Sequence, residues 1–322
     1  MIGEVSNHLW QSTVFAILVG LLTLAFRKNR AQVRYWLWFS ASLKFLIPFS
    51  LLLTLGNYLG RSRAATGSLA VPAITYTVVQ IAEPFPQSPP PAPPTRSHGD
   101  WLPIAAVGFW ACGFAGIALM RLQAWLRIRA ALRSSLPLDI PFPVEVRSSP
   151  PLLEPGVVGF FRPMLLLPTG IVERLTPSQL QAVLWHELFH IRRRDNLTAA
   201  VHMIVEAAFW FHPLAWWISA RLMEERERAC DEGVLELGSE PQVYAESILK
   251  TCQFCVESPL TCVSGVTGAD LKKRVVRIMT QVGRTKLTFS RKLLLASFAL
   301  AAVLGPLVLG LKVTPQVWAQ NS

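Results

Sequence analysis

The chain has 322 residues, of which 52% are hydrophobic and 16% charged, with a mean hydropathy of +0.37 and a formal net charge of +11. Soluble domains carry about 25% charged residues, so this composition excludes a wholly cytosolic globular protein; its apolar content also excludes disorder over most of the length. The positive balance leaves nucleic acid, an anionic membrane or the cytoplasmic loops of a membrane protein as explanations, and five cysteines are too few for a disulfide framework.

In chain order, residues 9–26, 101–120 and 293–311 contain no Asp, Glu, Lys or Arg, and residues 35–59 are interrupted only by Lys44 and Pro48. Runs of about 20 residues cross the hydrocarbon core of a bilayer as a helix, which predicts four transmembrane helices. The first is not a cleavable signal peptide, because Glu4 stands where a basic flank belongs and no small-residue cleavage site follows. Cys112, inside the third run, reads as a small hydrophobe. Lys44 must either snorkel to the interface or meet a polar partner. Basic clusters flank the spans: Arg27, Lys28, Arg30 and Arg34; Arg121, Arg127, Arg129 and Arg133; Arg284, Lys286, Arg291 and Lys292. By the positive-inside rule these are cytoplasmic, so both termini lie outside in a multi-pass topology. Much of the positive charge thus serves topology, and no direct nucleic-acid binding is expected. The loop 60–100 is then external, and its stretch 84–94, with seven prolines in eleven residues, reads as an extended polyproline spacer. The predicted organisation is three spans and this loop in 1–120, a cytoplasmic domain in 121–292, and a fourth span with a short external tail in 293–322.

Within the domain, residues 144–146 and 164–167 read as short strands, with 155–163 as a hairpin-like turn region. Thr176, Pro177 and Gln179 then announce a helix: a capping-box threonine, proline at the first position and glutamine three after the cap. That helix, running to about Arg194, carries His186-Glu187-Leu188-Phe189-His190. Residues four apart share a helix face, so both imidazoles can reach one tetrahedral Zn2+, with Glu187 close enough to take a proton from water at the metal. A third ligand is sought in 223–236. Glu227 is chosen over Glu224 and Glu225 because Asp231, four residues on, can accept a hydrogen bond from a ligand histidine and fix its tautomer. The apolar stretch 197–222, as one straight helix, would be about 39 Å long and would carry Glu227 across a membrane from His186. It must fold back, and His212-Pro213 is the natural hinge. His212 is also a candidate donor to a developing oxyanion, beside the plainer reading as a hinge histidine. Asp195-Asn196 reads as a cap of the next helix, and Cys252-x-x-Cys255 with Cys262 reads as ordinary packing.

H-E-L-F-H-I-R-R-R-D-N, F-H-P-L-A-W-W and E-R-A-C-D, preceded by G-F-F-R-P-M-L-L-L-P, resemble the BlaR/MecR family of membrane zinc metallopeptidases. The resemblance implies an integral membrane, mainly α protein: four transmembrane helices plus a cytoplasmic α+β gluzincin-like zinc protease domain with a small β element before the zinc helix. It implies zinc held by His186, His190 and Glu227 with Glu187 as general base, and no other cofactor. The implied substrate is a cytoplasmic transcriptional repressor or the protease itself, with the 164–167 strand expected to align it by strand addition. A separate sensor protein or a homo-oligomer is a further expected partner. Best-known members continue after the last span into an external penicillin-binding sensor. About eleven residues follow that span here, and the lone S-x-x-K at Ser247–Lys250 lacks its partner motifs, so direct β-lactam sensing is not expected. Two alternatives share most of these residues. One is an HtpX/CAAX-protease-like quality-control or processing protease; the other is a non-enzymatic transducer in which zinc only holds the fold. A replaced Glu187 would favour the last, and Glu187 is present.

Overall fold

A computed structural model describes residues 2–49, 51–52, 54–55, 58, 84–85, 101–149, 154–257, 268–280 and 288–313. Most of the expected external loop, part of the second expected span, Cys262, Arg284, Lys286 and the tail from 314 onward lie outside the described residues. The chain divides into two compact units, one drawn from Met1–Asn29, Ser40–Ile104 and Thr285–Ser322, the other from Arg30–Phe39 and Ala105–Arg284.

In the first unit α1 (Ile2–Ala25) meets the last helix, α10 (Phe289–Val313), where Phe15 stacks on Phe298 at 5.4 Å. Arg291 donates to Asn29 Oδ1 at 2.9 Å. Helix α2 (Ala31–Leu46) starts in the second unit and continues into the first, where His8 Nε2 lies 2.9 Å from the Phe45 carbonyl oxygen. Lys44 donates to the carbonyl of Ile47, so its polar partner is its own helix end. Three helices among the described residues are long and apolar enough to cross a membrane: Gly3–Ala25, Trp101–Arg133 and Phe289–Pro306. Helix α3 (Trp101–Arg133) runs thirteen residues past the expected span end at Met120. No proline or glycine falls in 121–133 to stop it, so the first part of the expected domain is an extension of this helix.

The second unit begins its sheet with β1 (Leu136–Leu138), β2 (Val146–Ser149), β3 (Gly156–Val158) and β4 (Met164–Pro168), ordered β1-β2-β4-β3. β2 runs parallel to β4, and the other two pairings are antiparallel. The strand expected at 144–146 starts only at Val146 and runs on to Ser149. β3 falls inside the expected turn region, and the chain leaves it at Gly159, φ 99°, where a Cβ would meet the Arg162 carbonyl oxygen at 2.6 Å. β4 is the buried centre of the sheet, with Leu165, Leu166 and Leu167 all at 2% exposure or less.

Helix α4 (Ile171–Arg174) leads into α5 (Pro177–Arg193), whose capping box is complete: Gln179 N–H donates to Thr176 Oγ1, and Thr176 N–H donates to Gln179 Oε1. One face of α5 packs on the sheet core through Val183; another packs through Ala182, Trp185 and Phe189 on the residues around Val234, Tyr244 and Ile278. Arg194, the one non-glycine residue with positive φ among the described residues, reverses the chain into α6 (Asp195–Ala208). Residues 209–212 then turn it again into α7 (Pro213–Glu236), the hairpin required by the sequence. Helices α8 (Pro241–Glu257) and α9 (Gly268–Thr280) close the unit, with Cys255 buried in α8.

The basic start of α2 does more than mark topology. Arg34 forms a two-pronged ion pair with Glu225 of α7, Nε to Oε1 at 2.9 Å and Nη2 to Oε2 at 2.8 Å, both side chains at 7% exposure or less. Ala31 N–H, at the start of α2, donates to the buried Glu232 carboxylate, and Arg30 pairs with Glu236. Removing one partner of a buried pair strands the other charge, at about 3–5 kcal/mol. Arg34→Met should therefore lower the stability of the detergent-solubilised protein by about that much in denaturant melts, and Arg34→Met/Glu225→Leu should recover most of the loss. A double variant as unstable as the single one would refute this account.

Candidate metal centre

His186 and His190 point from one face of α5 with ring centroids 4.9 Å apart, and α7 crosses opposite them carrying Glu227. The two Nε2 atoms are 3.2 Å apart; Glu227 Oε2 is 3.3 Å from His186 Nε2 and Oε1 is 3.7 Å from His190 Nε2. Tetrahedral zinc with bonds of about 2.0–2.1 Å sets its ligand atoms about 3.3 Å apart, which these separations match.

The far side of each ring decides its tautomer. His190 Nδ1 lies 2.7 Å from Asp195 Oδ2, so it carries the proton it donates. Tyr244 gives its hydroxyl proton to Asp231 Oδ1 at 2.6 Å and therefore accepts from His186 Nδ1–H at 2.8 Å. Both Nε2 atoms then present lone pairs to one another and to a carboxylate. Three Lewis bases converge with no proton between them, and a divalent cation fits that donor set. Burial, reinforced by Asp231, pushes the Tyr244 phenol well above its ordinary value, so Tyr244 stays protonated for its relay. Glu187 is buried beside these ligands, one position round α5 from His186.

Cys230 competes for the third position, since its sulfur lies within 4.8 Å of ligand atoms of both histidines. It approaches His190 from Nδ1, at 3.5 Å, on the side Asp195 already occupies. Burial also pushes its thiol up, away from the thiolate that a metal requires. The geometry therefore favours Glu227.

Several expectations need correction. Asp231 Oδ1 is 3.5 Å from His186 Nδ1, and Tyr244 stands between them as a relay; the carboxylate directly on a ligand histidine is Asp195. Asp195 is held by Arg193 at 3.3 Å and caps nothing. Asn196 donates from Nδ2 to the carbonyls of Val157 and Gly159, tying β3 to the α5–α6 corner. His212 is at the N-terminus of α7, fifteen residues before Glu227, or about 22 Å along one helix, so it does not reach the site. The 164–167 strand cannot take a substrate strand, because β2 and β3 occupy both its edges. Arg274 of α9 is the further neighbour: Nε and Nη2 grip Asp231 at 2.7–3.1 Å, and Nη2 is 3.3 Å from His186 Nε2. Burial works against its charge, but Asp231, Tyr244 and Glu227 hold its pKa well above the ordinary value.

Two histidines four apart on a helix, an adjacent glutamate and a carboxylate from a second helix, in a chain with three membrane-length apolar helices, define a membrane-associated metallopeptidase. Residues 5–278 match the BlaR1 peptidase M56 family, and the chain belongs to it. It is 29% identical over 166 residues to the regulatory protein BlaR1 of Bacillus licheniformis, a stretch covering 50% of this chain and 28% of that protein. It is 32% identical over 99 residues to the methicillin resistance mecR1 protein of Staphylococcus aureus strain Mu50, covering 30% and 17%. A protease HtpX homolog of Moorella thermoacetica is 47% identical over 51 residues, covering 15% and 17%. The chain thus spans less than a third of the length of each of these relatives.

Second-layer partners of metal-bound histidines are worth about 10–100-fold in metal affinity. Asp195→Ala and Tyr244→Phe should each weaken binding of added Zn2+ by about that factor in chelator competition on the full-length protein. Wild-type affinity in both variants would show that these contacts do not orient the rings.

Proposed function

We propose that the chain is a membrane-embedded zinc endopeptidase of signal transduction, cleaving a cytoplasmic transcriptional repressor, itself, or both. The observation that carries this reading is the convergence of His186 Nε2, His190 Nε2 and the Glu227 carboxylate, each ring held by a polar partner on its far side. His186, His190 and Glu227 would hold the metal, whose chemistry when bound is to polarise the scissile carbonyl and acidify water. Glu187 takes the proton of the attacking water and passes it to the leaving nitrogen. Asp195, and Tyr244 with Asp231, keep both imidazoles in the Nδ1–H form throughout. In this reading the protein has four spans, including residues 35–59, with both termini outside and the peptidase unit in the cytoplasm. Its partners are the bilayer, the repressor, and a separate sensor protein or a second copy.

The similarity to an HtpX homolog favours a second reading, a membrane quality-control or processing protease with the same metal logic. Substrate identity separates the two. Glu187→Gln should keep zinc and abolish cleavage, and comparing new protein N-termini in cells carrying wild type or this variant should reveal a repressor or the chain itself. Many unrelated membrane proteins among the products would favour the second reading; unchanged proteolysis would sink the mechanism. For topology, a cysteine introduced at Ser88 should react with an impermeant maleimide on intact cells, and one at Ser239 should react only after lysis.

A further inference from the structure

With His212 about 22 Å away along α7, the site needs another donor for the carbonyl oxygen of the bond being cleaved. Arg274 supplies one. Its guanidinium reaches the centre from α9, with its side chain 22% exposed, and its N–H groups divide cleanly. Nε donates to both oxygens of Asp231, at 3.1 and 3.0 Å. Nη2 donates to Asp231 Oδ1 at 2.7 Å, and the Tyr244 hydroxyl oxygen and His186 Nε2 each lie 3.3 Å from it. Nη1 has no hydrogen-bond acceptor among the described residues; its nearest anionic atom is Glu227 Oε2, at an ion-pair distance of 3.6 Å. The bidentate grip on Asp231 therefore orients a guanidinium edge whose outer nitrogen keeps its hydrogens for something else. That edge runs beside His186 Nε2 and Glu227 Oε2, two of the atoms that converge on the centre.

We infer that Arg274 is a further catalytic residue of this site, its Nη1 donating to the scissile carbonyl oxygen as that oxygen gains charge. The inference rests on the peptidase reading above. As the water oxygen bonds to the carbonyl carbon, the π pair moves onto the carbonyl oxygen and the water proton passes to Glu187. When the C–N bond breaks, that pair returns to carbon and the proton goes to the leaving nitrogen. Nη1 meets the charge at its maximum, already oriented by Asp231, which is the preorganisation that makes such donors effective. Lysine would keep a cation near Asp231 but lose the fork that aims Nη1.

The test uses the zinc-loaded full-length protein in detergent. A peptide library digest read by mass spectrometry identifies a peptide that wild type cleaves and Glu187→Gln does not. Kinetics on that peptide are then measured for wild type, Arg274→Met and Arg274→Lys, alongside Zn2+ affinity by chelator competition and binding of the peptide's phosphinic isostere, a tetrahedral anionic mimic. For Arg274→Met we expect kcat lower by about 10²–10³-fold. KM and Zn2+ affinity should stay within about 3-fold, isostere affinity should fall in parallel with kcat/KM, and lysine should recover part of the loss. Wild-type kcat in Arg274→Met overturns the inference. So does a loss that follows lost zinc or raised KM, since Arg274 would then only brace Asp231. Failure of wild type to bind zinc or cleave any peptide would instead remove the peptidase reading itself.

Discussion

The fold depends on α7 carrying carboxylates into places where carboxylates do not go unaccompanied. Glu225, Asp231 and Glu232 are all buried on this helix, and an ionised carboxylate taken out of water without a partner is penalised by several kcal/mol. Each has a dedicated answer. Glu225 has Arg34 and Arg228, Asp231 has Arg274 and the Tyr244 hydroxyl, and Glu232 has the first N–H of α2, where the helix dipole also favours an anion. These partners come from α2, α7, α8 and α9. Displacing any of them exposes a charge to an environment that cannot solvate it, so the helices around the site are located by electrostatics as much as by apolar packing.

The candidate metal ligands sit inside this arrangement and inherit its order. Glu227 reaches the histidines because its neighbours on both sides along α7 are pinned, and its own second contact is Arg226 at 3.3 Å. The α5 histidines owe their orientation to groups from opposite directions: Asp195 just beyond the end of their own helix, and Tyr244 from α8. The left-handed turn at Arg194 is what returns Asp195 beneath His190. Local backbone strain is thus spent where it fixes a ligand tautomer.

How much of this was legible in sequence follows the range of each interaction. The capping box, the four-residue histidine spacing and the Pro213 turn are local, and each is present as read. Glu227 was reachable because E-x-x-x-D repeats a helix period. Tyr244 and Arg274 meet His186 across separations of 58 and 88 residues with no shared spacing, so no periodicity could announce them. An Asp at a helix start is usually a cap, and only the αL residue before Asp195 changes where it points. β4 resembled an accessible strand because a short apolar run does not say how many of its edges are paired. Arg30 and Arg34 count as topogenic charges in sequence; their partners, near 200 residues away, are invisible to a rule that counts basic residues near spans.

Glu225 and Glu232 lie seven residues apart on one side of α7, and Glu227 and Asp231 lie four apart nearly opposite. The first pair grips the opening turn of α2, the second serves the histidines, and fewer than two helical turns separate them. Over that distance an α-helix is stiff. A shift of even 1 Å at α2 that α7 follows would therefore arrive at Glu227 almost undiminished, against a bond-length tolerance at metal sites of about 0.2 Å. The same helix thus ties the first turn of α2 to the three converging donor atoms across fewer than two turns of backbone.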